Sequence, residues 1–157
     1  MFSSIVKVST LVILLNCLWN VQCVYWYDCE DIPTVGKVEA VKIPGCEATE
    51  ESSRCRLKRG TNMTFSVTFK SDVPTDTLKA VVHGVVFGEE RIFKLPNDNG
   101  CVDSGITCPI AKDSLQTYTT SLPVKRYYPK VSVDVKWELQ NKEGKDIWCI
   151  MVPSKLS

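Results

Sequence analysis

The sequence predicts an all-β domain, with about seven short strands packed as an immunoglobulin-like two-sheet β-sandwich. Three observations carry that prediction: two segments alternate between apolar and polar side chains, turn residues punctuate the chain, and no stretch shows the apolar spacing of an amphipathic helix.

The first candidate strand runs from Val35 to Ile43 and is closed by Pro44 and Gly45. In the next, Met63, Phe65, Val67 and Phe69 alternate with Thr64, Ser66, Thr68 and Lys70, giving one apolar and one polar face. After a turn over Asp72 to Asp76, the segment Ala80 to Phe87 is apolar on both faces except at His83, so it should lie inside a sheet covered on both sides. Arg91 to Leu95 is a shorter candidate, ended by the turn cluster Pro96 to Gly100. Thr117 to Leu122 follows. Val131, Val133, Val135, Trp137 and Leu139 then alternate with Ser132, Asp134, Lys136 and Glu138, and a turn over Asn141 to Gly144 leads into Ile147 to Val152.

Residues 1–23 read as a signal peptide: Lys7 supplies the positive charge, an apolar run spans Val8 to Trp19, and cleavage is expected before Val24. The run is too short to span a bilayer, and no apolar stretch of ~18 residues follows Val24, so a soluble secreted domain over 24–157 is expected. Of the 19 Lys and Arg only Lys7 lies in the leader, which leaves the mature chain electrically neutral against its 18 Asp and Glu. Neutrality argues against nucleic acid as a partner and gives no general reason for attachment to anionic membranes.

Six cysteines remain after the leader: Cys29, Cys46, Cys55, Cys101, Cys108 and Cys149. An even number behind a secretory signal indicates three disulfides. Proximity suggests Cys46 with Cys55 and Cys101 with Cys108, leaving Cys29 with Cys149 to join the domain's ends, although six cysteines allow 15 pairings. No pair of CxxC motifs is present, and His83 is the only histidine, so no metal or other cofactor is expected.

These bridges would sit at loops and chain ends, whereas an immunoglobulin domain ties its sheets together through the centre. A sandwich without that clamp has room to hold a ligand between its sheets. Its inward side chains would include Phe65, Phe69, Phe87, Phe93, Tyr118, Tyr128 and Trp137. Ordinary core packing is the competing reading of the same row of aromatics.

Several ordered motifs resemble the Niemann-Pick type C sterol carriers of the lipid-recognition (ML) family: KAVVHG at Lys79 to Gly84, GCVDSGITCPIAK at Gly100 to Lys112, LPVK at Leu122 to Lys125, Tyr128 with Pro129, and KWELQ at Lys136 to Gln140. The resemblance runs from Asp28 and Cys29 to Cys149 and Pro153. It implies the three pairings above, a seven-stranded sandwich and an internal hydrophobic cavity for one sterol. By the same resemblance Phe93, Val124 and Tyr128 frame the mouth, while Ile43, Met63, Phe65, Leu122, Pro123, Trp137 and Ile150 form the wall, with core packing as the alternative role for these. It further implies a monomeric carrier that is secreted or resident in endosomes and lysosomes. Such a carrier would meet membrane surfaces transiently and deliver cholesterol to the large Niemann-Pick type C membrane protein.

Two features depart from the pattern: Glu89, Glu90 and Arg91 precede the mouth aromatic, and Glu30 follows the first cysteine where glycine is usual. They bear on ligand choice more than on fold. Within the family, a glycolipid-binding accessory of innate immunity and a chemosensory carrier of fatty acids or odorants are the alternative functions. An adhesion-type sandwich with a filled core is the alternative outside it. No G-x-S-x-G motif accompanies the single histidine, so an enzyme is not expected, and His83 reads as structural rather than as a pH switch. Asn62, Met63 and Thr64 form a glycosylation sequon at the start of a strand, with Asn62 expected to point outward and Met63 inward.

Overall fold

A computed structural model describes residues 24–46 and 53–157, so the signal peptide expected over 1–23 lies outside the described residues. Nine strands form among the described residues: β1 (Tyr27–Asp28), β2 (Gly36–Lys42), β3 (Cys55–Leu57), β4 (Thr61–Ser71), β5 (Lys79–Val86), β6 (Glu89–Phe93), β7 (Leu115–Val124), β8 (Ser132–Gln140) and β9 (Asp146–Leu156). All seven foreseen segments become strands, with their ends displaced by a few residues. The two extra elements, β1 and β3, are too short to show an alternation and exist because β9 offers them an edge. There is no helix among the described residues, and hence none long and apolar enough to cross a membrane.

The strands divide into two sheets. The larger runs β1-β9-β8-β5-β6, with β3 paired parallel to β9, and the smaller runs β2-β4-β7. Register aligns the inward residues: Val82 faces Trp137 across β5 and β8, Trp137 faces Ile150 across β8 and β9, and Met63 faces Leu122 across β4 and β7. Because side chains alternate, Asn62, Thr64, Ser66 and Thr68 turn to the outer face, where Ser66 and Thr119 hydroxyls hydrogen-bond at 2.9 Å.

The two sheets meet through aromatic rings. Phe65 of β4 lies 4.8 Å from Trp137 of β8, and Tyr118 of β7 lies 6.3 Å from Trp137 and 6.2 Å from Trp148. All four are essentially fully buried. Each tilted contact adds about 0.5–1.5 kcal/mol to the area buried.

The disulfides form as expected: Cys29–Cys149, Cys46–Cys55 and Cys101–Cys108. The first stays within the larger sheet, joining the end of β1 to β9. The second links the chain just after β2 to β3 and so ties the margins of the two sheets. The third closes a loop between β6 and β7. None crosses the middle of the sandwich, where only side-chain packing holds the layers together.

Two expectations need correction. Phe87 does not face inward but is 98% exposed. Phe87 and Gly88, with φ of 52° and 80°, are the two central residues of the hairpin turn between paired Val86 and Glu89, and this double positive-φ geometry lifts the ring off the sheet. The outer face of β5 is also only half covered, at Val81, His83 and Val85, because no second layer packs there.

Candidate lipid-binding site

At one end of the sandwich the termini of β6, β7 and β9 converge with the start of β8. Phe93, Leu122, Pro123, Val124 and Tyr128 come together there with Leu57, Val133, Val135 and Leu156 around one apolar site. Five of the ten predicted mouth and wall residues thus share a site, including all three of the mouth. Phe93 comes from the larger sheet and Tyr128 from the loop after β7 of the smaller one, and their rings meet edge-on at 5.3 Å and 76°. Val124 is buried beneath them. Burial, and then the neighbouring Tyr127, push the Tyr128 phenol up from its ordinary value, which keeps it neutral.

The mouth depends on a residue with no side chain. A β-carbon at Gly84 would collide with the Phe93 ring and reach within 3.2 Å of Val133 Cγ2. Glycine in the middle of β5 thereby lets the Phe93 ring lie flat on the sheet.

The remaining wall residues lie elsewhere. Phe65, Trp137 and Ile150 sit deeper in the core, Ile43 is buried just beyond the end of β2, and Met63 is half-buried opposite Leu122. Sequence reasoning missed Leu57, Val133, Val135 and Leu156. Val133 and Val135 could have been found, since they share the alternating face of Trp137; Leu57 and Leu156 belong to a parallel pairing that no local pattern announces.

The apolar site at the mouth is nearly filled by its own side chains. The space enclosed at the mouth is about 10 Å³, at most room for one water, whereas ligand pockets generally occupy roughly 300–1,000 Å³. Side chains from both sheets meet over this site, led by the Phe93 and Tyr128 pair.

Of the departures from the family pattern, Glu89, Glu90 and Arg91 are all exposed. Register places Glu89 and Arg91 on the same side of β6 as Phe93, at the outer margin of the seam, while Glu90 turns to the other face and pairs with Lys136 Nζ at 3.1 Å. His83 lies on that outer face, its Nδ1 3.3 Å from Glu138 Oε2, away from the mouth. Glu138 and Asp146 gather near Cys149, but that sulfur is bonded to Cys29 and is not a thiolate free to bind metal.

A family model described as ML domain matches residues 23–156. The chain belongs to the ML domain family. It is 49% identical over 121 residues to "NPC intracellular cholesterol transporter 2 homolog a" of Drosophila melanogaster, covering 77% of this chain and 80% of that one. It is 42% identical over 133 residues to "NPC intracellular cholesterol transporter 2" of Danio rerio, covering 85% of each. A solved structure, that of a Niemann-Pick type C2 protein from Japanese carpenter ant, superposes with a TM-score of 0.76 at 27% identity, covering 85% of this chain and 99% of that chain. The resemblance first seen in the motifs therefore extends to the whole fold, and the transporter names of these relatives accord with a non-enzymatic lipid carrier.

Proposed function

We propose that this ML domain carries a single sterol, with cholesterol the leading candidate, between its two sheets and transfers it between membranes or to an acceptor protein. The observation that supports this most directly is the convergence of Phe93, Val124 and Tyr128 over an apolar seam that no disulfide crosses. Burying on the order of 500 Å² of sterol surface at roughly 25 cal/mol/Å² supplies about 12 kcal/mol before the costs of ordering and of parting the sheets. With almost no polar group in the lining, shape rather than hydrogen bonding selects the ligand, and the sterol hydroxyl rests at the mouth beside Tyr128.

The wider setting belongs to the same proposal. The protein is secreted or delivered to endosomes and lysosomes, acts as a monomer, and presents its mouth to a membrane or to the large Niemann-Pick type C membrane protein. Titration of the mature chain with a fluorescent sterol should saturate at one per chain, and Val124→Phe should weaken it by filling the passage. Absence of saturable sterol or fatty-acid binding at both about pH 5 and about pH 7 overturns the proposal.

A further inference from the structure

Beside the mouth lies a second groove of opposite character. It has a volume of about 550 Å³ and is lined by Arg56, Lys58, Arg59 and Arg126 with Gly45 and Ser157. Four cationic side chains converge there, and among the described residues the lining holds no Asp or Glu side chain and none of the four belongs to an ion pair. Clustering of cationic side chains in a concave site concentrates the field, so the neutral balance of the whole chain does not describe this surface.

One of the four, Arg59, is held in place by the backbone. Arg59 Nη1 donates to the carbonyls of Arg126 at 3.1 Å and Tyr128 at 2.9 Å, while its Nε is buried with no hydrogen-bond partner. An unpartnered donor on a charged group is costly unless an acceptor reaches it. Gly60, at φ +80°, lies against Arg126: a β-carbon there would come within 2.8 Å of Arg126 Cγ and Nε, so the bare turn makes room for the second guanidinium. Ser157, at one end, accepts the Arg59 backbone N–H at 3.0 Å.

We infer that this groove is a binding site for a phosphate group, with Arg56, Lys58, Arg59 and Arg126 as its ligands. Guanidinium groups suit tetrahedral oxyanions because their donors form paired, charge-assisted hydrogen bonds. The same chemistry serves the phosphate of a lipid headgroup or a free phosphate. Because Arg59 also holds the Tyr128 carbonyl, an occupied groove steadies the loop that carries one half of the mouth. The site does not depend on the identity of the lipid between the sheets.

The test is thermal unfolding of the mature chain in a phosphate-free buffer of low salt, titrated with inorganic phosphate and, separately, with chloride at matched ionic strength. Phosphate should raise the midpoint saturably and chloride should not, and an Arg56→Ser/Arg126→Ser variant should need at least about tenfold more phosphate. Both replaced side chains are exposed, so the variant should keep its circular-dichroism spectrum and its sterol saturation; that control separates failure of this site from failure of the sterol reading. Flotation with phosphatidylglycerol or phosphatidylcholine vesicles then identifies the source. Phosphatidylglycerol binding that is lost in the variant and competed by phosphate assigns a headgroup, and a phosphate response without vesicle binding assigns a free phosphate. Equal responses to phosphate and chloride, or an unchanged response in the variant, overturn the inference.

Discussion

Phe93 and Tyr128 close the seam between the sheets, each anchored to a different layer, their rings edge-on at a centroid distance of 5.3 Å. The contact joins the two layers directly at the apolar site lined by Leu122, Pro123 and Val124.

In a double-mutant cycle of Phe93→Ala and Tyr128→Ala, urea unfolding of the ligand-free chain should give a coupling of about 0.5–1.5 kcal/mol. Saturable sterol binding should weaken in both single variants. A coupling of zero would show that the rings do not support one another.

Gly84→Ala should destabilise the chain by about 1–3 kcal/mol, since the added methyl meets the Phe93 ring and leaves it nowhere to go but outward toward Tyr128. Phe93→Ala placed on top of Gly84→Ala should recover part of that loss by relieving the collision. Urea midpoints of the four chains decide it, and additive effects exclude the proposed contact.

Stability should rise as pH falls through the raised native values of two buried carboxyls toward the ordinary carboxylate range. Glu138 and Asp146 are both pushed above their ordinary values: Glu138 by burial and then by the Asp146 charge, against the opposing pull of Lys136 and His83, and Asp146 chiefly by burial. The native state therefore binds protons more readily than the unfolded chain. The cost of ionising the pair is absent below the ordinary carboxylate values, and it grows as pH rises toward the raised native ones. Asp146→Asn should flatten the pH dependence of the unfolding midpoint over that range; an unchanged profile would assign it elsewhere.

Losing Cys29–Cys149, whose partners lie 120 residues apart, should cost about 5 kcal/mol in the chain-entropy model, against roughly 2.5 kcal/mol for Cys101–Cys108 with its separation of 7. Paired Cys→Ser variants compared by urea unfolding test the order. The reverse ranking would show that the end-to-end bridge constrains the unfolded chain less than its loop length implies.

Asn62 is exposed on the outer face of β4, while Met63 turns inward. Chain secreted from a eukaryotic host should shift in electrophoretic mobility on enzymatic deglycosylation, and Asn62→Gln should abolish the shift. Identical migration before and after treatment would show the sequon unused.

Much of the fold was legible because it rests on local periodicity. The alternations at Met63 to Lys70 and Val131 to Leu139 state which side chains face inward whatever their partners are, and the six cysteines with their spacing suggested the three bridges. The ordered motifs from KAVVHG to KWELQ carried the family. What the sequence could not supply was contact between residues distant along the chain. Leu57 and Leu156 join the mouth only through a parallel pairing, Phe87 leaves the core because a two-residue turn imposes positive φ, and Arg56 of β3 comes to line one groove with Arg126 of the loop after β7. The close filling of the mouth is likewise a tertiary property. Alternation determines which side chains enter the interior, but whether those side chains meet or leave a space depends on how closely the two layers approach.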